Sequence, residues 1–325
     1  MKAIVRHRYG PPEVLELQEI DKPSFKDDEV LVRIRATSVN PADWHSMTGT
    51  PYIARLAFGL TKPKPRRLGI DFAGTVEAAG RNVKQFQPGD DVFGATSEAF
   101  AEYVCVAEDG PVVPKPVSLT FEQAASVPVA ALTALQGLRD HGHIQHGQKV
   151  LINGASGGVG TFAVQIAKSF GAEVTGVCST RNVDIVRSIG ADHVIDYTHE
   201  DFTRSDHRYD LMIDIAGNRS WSECKPVLNP QAILVVVGGP KTNRLIGPLG
   251  HLAGVRLAAS RSSQKVALFV TKVNKPDLVV LQELLEAGRV RPVIDRCHEL
   301  SDVADALRYL GEGHAQGKIV ITVQS

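Results

Sequence analysis

Between residue 1 and about residue 118 the apolar positions alternate in short runs broken by Gly and Pro: EVLVRIRATSV (29–39), DFAGTVEAAG (71–80), PGDDVFG (88–94) and AFAEYVCV (99–106). In the first of these, Val30, Val32, Ile34 and Ala36 share one face at period two, while Arg33 and Arg35 take the other. That alternation predicts half-buried antiparallel strands. From Phe121 onward the spacing becomes helical in EQAASVPVAALTALQGLRDHG (122–142) and then settles into strand and helix alternation. The strand candidates are KVLIN (149–153), EVTGVC (173–178), HVIDY (193–197), DLMIDI (210–215), ILVVVG (233–238) and VRLAAS (255–260). Near-continuous apolar strands of this kind belong to a parallel sheet covered on both faces, so the pattern predicts an α/β fold with a doubly wound sheet beside a β-rich domain. After the helical KPDLVVLQELLEAGRV (275–290), the tail offers RPVIDRCHEL, a helix SDVADALRYLGEG with Ser301 as N-cap, and a last strand GKIVITV (317–323). These resemble the opening domain, which places residues 1–118 and 290–325 together and 119–289 between them. The cleft between two such bodies is the expected ligand site.

Composition changes this picture little. The 325 residues exceed one usual domain, and 43% hydrophobic with 22% charged content is that of a chain able to bury a core. Thirty-six basic residues balance thirty-six acidic ones, so no bulk field favours nucleic acid, a membrane or an acidic partner, and only a local patch would escape that rule. The expected partner is a small molecule. Cys105, Cys178, Cys224 and Cys297 are far apart, without a CxxC pair, which fits neither a disulfide framework nor a four-thiolate zinc site. The opening MKAIVRHRYGPPEV enters a strand-like alternation without a cleavable apolar leader, and no apolar run reaches spanning length, so the expected compartment is the cytosol.

The stretch KVLINGASGGVGTFAVQIAKSFGAEVTGVC (149–178) reads as strand, glycine-rich turn, helix closed by Gly171, and second strand. With Ala155, Gly157 and Gly160 as the three fingerprint positions it is AxGxxG, and the flanking strand and helix make the motif specific for a dinucleotide. Without Cβ atoms, Gly157 and Gly158 let the backbone approach a pyrophosphate whose charge meets the N–H groups of the helix N-terminus. About twenty residues beyond the loop, an NAD-binding fold usually carries a carboxylate for the ribose 2′-hydroxyl. Here Cys178, Ser179, Thr180 and Arg181 stand there. Two like charges ~4 Å apart at an effective dielectric of ~20 repel by roughly 4 kcal/mol, about a thousandfold in affinity. A corner without that carboxylate, where Ser179 donates a hydrogen bond and Arg181 supplies charge, points to NADPH. The alternative for Arg181 is a solvated residue in the first turn of the next helix. Tyr197 would sit beside the same corner, with strand-end packing as its alternative.

The runs VNPADW (39–44), LGIDFAGTVEAAG (68–80), PGDDVFG, GASGGVG (154–160), GADHVIDY (190–197) and GKIVITV occur in one order over nearly the whole chain. They resemble the zinc-free quinone oxidoreductases of the medium-chain dehydrogenase/reductase superfamily. The resemblance implies a GroES-like domain built from both chain ends, a Rossmann domain between them, NADPH in the cleft, and a homodimer joined through the Rossmann sheet edge. It further implies that Ser156, Gly157, Gly158 and Val159 bind the pyrophosphate and that Ser179, Arg181 and Tyr197 bind the adenosine phosphate. Ala216, Gly217 and Gly238 would form the nicotinamide-side loops, and Lys318 would contact the cofactor.

In zinc-using relatives a Cys occupies the position of Asn40 and a His-Glu pair that of Ile70 and Asp71. A catalytic zinc needs three converging N, S or O ligands, which Asn and Ile do not supply, so no metal is expected. His141, His143 and His146 in RDHGHIQHGQ read as an exposed connector after a helix end, and His45 as a surface residue. Reduction of a quinone or enone then requires a positioned acceptor, a hydrogen bond to the developing oxyanion and a proton. Asn40, at a turn fixed by Pro41, and Tyr52 are the candidates, with Asp43 bracing the turn. Related enoyl reductases use a Tyr in a pattern near NPxDxxxxxGxY; NPADWHSMTGTPY has one residue more, and the alternative for Tyr52 is a surface loop aromatic. Trp44 and Phe58 are candidates either for the cleft or for the core. The shape of the acceptor pocket depends on TPYIARLAFGLTKPKPRR (50–67). The expected function is an NADPH-dependent, metal-free quinone or enone reductase; the alternatives are an enoyl-thioester reductase and a non-catalytic NADPH-binding sensor or interaction protein.

Overall fold

Residues 1–64, 66–239, 249–260 and 262–323 are described by the computed structural model. In chain order the first third gives β1 (Lys2–Val5), β2 (Glu16–Glu19), β3 (Glu29–Ser38), α1 (Pro41–Thr48), α2 (Arg55–Phe58), β4 (Asp71–Ala79), β5 (Asp91–Ala95), β6 (Tyr103–Ala107), β7 (Val112–Pro114), α3 (Phe121–Ala125) and α4 (Pro128–Gln136). The middle gives β8 (Lys149–Asn153), α5 (Gly158–Ser169), β9 (Glu173–Cys178), α6 (Val183–Ser188), β10 (His193–Asp196), β11 (Tyr209–Asp214), α7 (Trp221–Cys224), β12 (Leu228–Val236), α8 (Leu249–Ala259) and β13 (Lys265–Leu268). The tail adds α9 (Lys275–Glu286), β14 (Ile294–Glu299), α10 (Val303–Glu312) and β15 (Lys318–Thr322). Two compact units result: one comprises residues 1–132, 272–288 and 292–325, the other residues 133–271 and 289–291. Helix α9, which the sequence pattern assigns to the nucleotide-binding body, belongs to the first unit.

The first unit holds a seven-stranded sheet in which β14, β15, β3, β4, β5 and β7 follow one another and β6 also pairs with β3. Strand β3 shows the alternation read from its sequence, with Val30, Val32, Ile34 and Ala36 buried and Arg33 and Arg35 half-buried. Strand β15 joins antiparallel to β3, matching Val320 to Ser38, so the end of the chain completes the sheet begun near its start. Val32, Ile34, Phe72, Phe100, Leu307 and Ile321 belong to one core cluster. Trp44 packs against that cluster, and a Cβ on Gly311 would lie 2.7 Å from its ring, so this tryptophan is core in character.

The second unit is a six-stranded parallel sheet in the order β10-β9-β8-β11-β12-β13, the doubly wound arrangement expected. Two details differ from the sequence reading. VRLAAS is not a strand but the end of α8: Val255 and Ala259 are buried four residues apart while Leu257 between them is 76% exposed, a helical period. The sixth strand is β13 instead. Likewise Ser301 does not cap the last helix; it sits inside a short 3₁₀ turn, Leu300–Asp302, and Asp302 takes the cap position.

Candidate functional site: a nucleotide cradle and a buried polar triad

In the second unit the carboxyl end of β8 turns into α5 through Gly154, whose φ of +92° is open to glycine and not to most other residues. The turn thus depends on the residue before Ala155, one place earlier than the AxGxxG reading assigned. Gly160 serves close packing, because a Cβ there would fall 2.1 Å from the Gly154 carbonyl oxygen. Gly157 serves a different purpose: it is the N-cap of α5 without a side-chain cap, and the nearest atom to a Cβ placed on it is 3.7 Å away. Its surroundings leave room for a ligand on the N-terminus of a twelve-residue helix.

Ser156 is buried, and its Oγ accepts a 2.9 Å hydrogen bond from the Asn182 amide, which also donates to the Ser179 Oγ at 3.2 Å. Asn182 therefore links the glycine loop to the tip of β9. Among the described residues its Oδ1 is buried without a partner, and a buried amide oxygen left in that state costs free energy unless a ligand donates to it. A dinucleotide fits this donor set: the helix N-terminus would hold a pyrophosphate, and the orphan oxygen would accept from a ribose hydroxyl.

At the tip of β9, Ser179 is half-buried and Arg181 exposed. Tyr197, 57% exposed, follows β10 with its N–H donating to the Cys178 carbonyl at 3.0 Å, so it does stand beside this corner. A carboxylate the sequence reading did not weigh stands there too. Asp196 is in register with Cys178 across β9 and β10. The Thr180 hydroxyl, followed by the Thr198 hydroxyl and N–H, holds its carboxyl below the ordinary range. Burial, with the Asp196 charge adding to it, pushes the Cys178 thiol up to about 11.

The other strand ends are tied together. Asn153 donates to Asp214 Oδ1 at 2.8 Å and to Asn218 Oδ1 at 3.2 Å, and Gly217 N–H donates to the same Asp214 oxygen at 2.9 Å. Burial raises the Asp214 carboxyl above its ordinary value. The loops after β11 and β12 abut through glycine: a Cβ on Gly217 would lie 2.4 Å from the Gly238 carbonyl, and one on Gly238 2.0 Å from the Ile215 oxygen. Ala216 lies exposed at the top of that contact. Asn153, Asn182, Asp196 and Asp214 were missed in the sequence; each is a polar residue at or beside the end of an apolar strand run, which was the available signal.

In the first unit the expected catalytic and cofactor residues converge differently. Asp71 is fully buried; its Oδ2 accepts from Ser38 Oγ at 2.8 Å, from Asn40 Nδ2 at 2.9 Å and from Lys318 Nζ at 3.3 Å, while Oδ1 accepts from Val129 N–H at 3.0 Å. Lys318 is 4% exposed, and its ammonium also donates to Asn40 Oδ1 at 2.6 Å and to the Val39 carbonyl at 3.2 Å. An ammonium has three protons, and three acceptors within this unit receive them. Lys318 thus stands as an internal brace of Asn40. Asn40 keeps one amide proton beyond those bonds. Asp43 braces the same turn as expected, accepting from Asn40 N–H at 2.9 Å and Gly69 N–H at 3.2 Å. Burial pushes its carboxyl up to about 7. Tyr52 is 44% exposed, with the Arg55 guanidinium 4.6 Å above its ring.

The histidines of the connector do not converge: His141 stacks on Phe269 with 4.3 Å between centroids, while the His146 ring fills the space where Gly171 lacks a Cβ. His45 Nδ1 pairs locally with the Thr50 carbonyl at 2.7 Å. Among the described residues no group of three or more His, Cys, Asp or Glu side chains is placed to hold a metal.

Comparison with known proteins bears on these sites. Residues 26–117 match the alcohol dehydrogenase GroES-like domain, and residues 189–321 match a family described as zinc-binding dehydrogenase. The chain is 35% identical to the mitochondrial NAD(P)H oxidoreductase RTN4IP1 of Mus musculus, covering 99% of this chain and 89% of that protein. It is 35% identical to the 2-methylene-furan-3-one reductase of Solanum lycopersicum, over 99% of this chain and 79% of that one. Among solved structures, the quinone oxidoreductase from Coxiella burnetii superposes with a TM-score of 0.87 at 32% identity, over 100% of this chain and 99% of that chain.

Proposed function

The chain belongs to the quinone oxidoreductase-like branch of the medium-chain dehydrogenase/reductase superfamily, and from that premise we propose that it transfers a hydride from NADPH to a quinone or an α,β-unsaturated carbonyl without a metal. The observation that carries the reading is the cradle of the second unit, with its open helix N-terminus at Gly157, the orphan Asn182 oxygen and a β9 tip that bears Ser179 and Arg181. Ser156, Gly157, Gly158 and Val159 hold the pyrophosphate, Ser179, Arg181 and Tyr197 the 2′-phosphate, and Ala216, Gly217 and Gly238 the nicotinamide side. The hydride is the chemistry the cofactor supplies when bound. The Tyr52 hydroxyl gives the acceptor oxygen a hydrogen bond or a proton, and the remaining amide proton of Asn40 is held in a fixed direction by Lys318 and Asp71. Metal independence is supported by what those three residues do: the Lys318 ammonium, itself a cation, neutralises Asp71 and engages Asn40, at the positions where zinc-using relatives place ligands.

One observation favours a rival cofactor. Asp196 places a carboxylate beside the 2′-phosphate corner, which suits NADH. Fluorescence titration decides between them: NADPH is expected to bind at least tenfold tighter than NADH, and to be oxidised by a benzoquinone or an alkenal. Equal affinities overturn the cofactor assignment, turnover confined to enoyl thioesters selects that reductase class, and tight NADPH binding with no turnover on any acceptor selects a sensor.

The four cysteines are free thiols, which supports a reducing, cytosolic setting. A homodimer is supported by the sheet edge. Among the described residues β13 pairs only with β12, and Val270 just beyond it is 88% exposed. Sedimentation is expected to give a dimer, and Val270→Asp to weaken it at least tenfold; a monomeric wild type at micromolar concentration removes this assembly.

A further inference from the structure

The charge balance of the whole chain conceals a segregated stretch. Between Asp43 and Asp71 there is no Asp or Glu, yet Arg55, Lys62, Lys64, Arg66 and Arg67 all fall there. The same stretch carries the apolar side chains Leu56 and Leu60, 73% and 67% exposed, together with Ile53 at 42%. Ile53 and Leu56 are three residues apart across a 3₁₀ turn, Tyr52–Ala54, and α2, a spacing that puts them on one side.

The stretch is a folded element. Tyr9 Oη donates to the carbonyls of Phe58 at 2.7 Å and Gly59 at 2.6 Å, fixing the end of α2. Gly59, at a φ of +105°, then turns the chain so tightly that a Cβ would lie 2.2 Å from the Lys62 carbonyl. Lys64 N–H returns to the Phe58 carbonyl at 2.6 Å, and Arg6 N–H donates to the Arg66 carbonyl at 3.0 Å. The Lys64 contact with Phe58 brings the basic run back towards the end of α2, and Lys62, Lys64 and Arg66 are all exposed, as is Arg8 beyond β1. Among the described residues, Arg67 is the one of these whose charge is paired with a carboxylate, that of Glu98.

We propose that this element, Ile53 to Lys64 with Arg66, docks the protein on an anionic lipid surface. Leucines held in the open by a hydrogen-bonded turn and flanked by basic side chains free of acidic residues in sequence match an interface whose outer layer is negative and whose interior is apolar. Among the described residues no helix is long and apolar enough to cross a membrane, and the attachment proposed is peripheral and reversible. The overall neutrality that argued against a membrane partner describes an average, and the average is broken here.

Vesicle co-sedimentation tests the proposal on the full chain. At low salt the protein is expected to pellet with vesicles of phosphatidylserine and phosphatidylcholine and not with phosphatidylcholine alone, and to be released at about 1 M salt, where the screening length falls to ~3 Å. Replacing Lys62, Lys64 and Arg66 together by Gln is expected to lower the partition coefficient roughly a hundredfold, about fivefold for each charge. Leu56→Asp with Leu60→Asp is expected to abolish binding with all cations in place. Thermal melting of both variants confirms that they fold, since every altered side chain is exposed. Equal binding to both vesicle types, no binding, or a triple variant that binds as wild type overturns the proposal. Self-association lost in the leucine variant, without lipid binding, assigns the patch to a second copy of the chain instead.

Discussion

Lys318→Met is expected to destabilise the protein by about 3–5 kcal/mol, the cost of leaving a buried carboxylate without its cation. Asp71 is fully buried, and the Lys318 ammonium is the one positive group among the four donors on its oxygens. The remaining three donors are neutral. Methionine nearly fills the lysine stem's volume, so little of the loss comes from a cavity. Adding Asp71→Asn to Lys318→Met is expected to restore part of the stability, because a neutral amide keeps hydrogen bonds to Ser38 and Asn40 without a buried charge. A packing defect would not respond in that way. The deficit also depends on pH. Asp43 is raised from an ordinary 3.8 to about 7 by burial, and the Lys318 charge works against that rise. A carboxyl raised in the folded state contributes stability at low pH that is lost as pH climbs through its folded value. Without Lys318 the folded value rises further, so the variant falls further behind wild type at about pH 8 than at about pH 5. Urea unfolding followed by Trp44 fluorescence, in a Trp221→Phe background, reports on the first unit. A loss below about 1 kcal/mol at neutral pH would show that the pair does not hold this interior together.

How far the sequence revealed this molecule depended on the range of the interaction involved. Alternation in β3 and continuous apolar runs in β8, β9 and β11 are local signals, and the structure follows them. VRLAAS failed because an apolar run of six residues carries too little periodicity to separate strand from helix; only Leu252 upstream, which packs with the same core, completes the helical spacing. At the glycine loop the motif located the turn but not the division of labour within it, since the positive φ of Gly154 and the close approach of Gly160 are facts of backbone geometry. The triad was the least legible part. Lys318 and Asn40 are 278 positions apart, and no local pattern says that a lysine near one end of the chain will donate to an asparagine near the other. Asp196 is illegible for a similar reason: the tip of β9 carries no acid of its own, and the carboxylate comes from the neighbouring strand.

Ser179→Asp is expected to weaken NADPH binding by roughly thirtyfold to a thousandfold and to leave NADH binding unchanged or improved. A carboxylate ~4 Å from a phosphate at an effective dielectric of ~20 costs roughly 4 kcal/mol per pair of unit charges, and solvent screening that halves this still leaves about thirtyfold. The ribose hydroxyls of NADH would instead donate hydrogen bonds to the carboxylate. The fold tolerates the change, because residue 179 occupies an extended N-cap position before the turn Thr180–Asn182, where aspartate serves as well as serine. Asp196 supplies the internal comparison. Its carboxylate is already occupied by the Thr180 and Thr198 hydroxyls, so its charge is partly spent, and Asp196→Asn is expected to improve NADPH binding by less than tenfold. If instead Asp196→Asn improves NADPH binding a hundredfold, or if Ser179→Asp weakens both cofactors equally, the corner does not discriminate by charge at the tip of β9. In the first case the selectivity belongs to the neighbouring strand, and NADH is the cofactor that this cradle was built to hold.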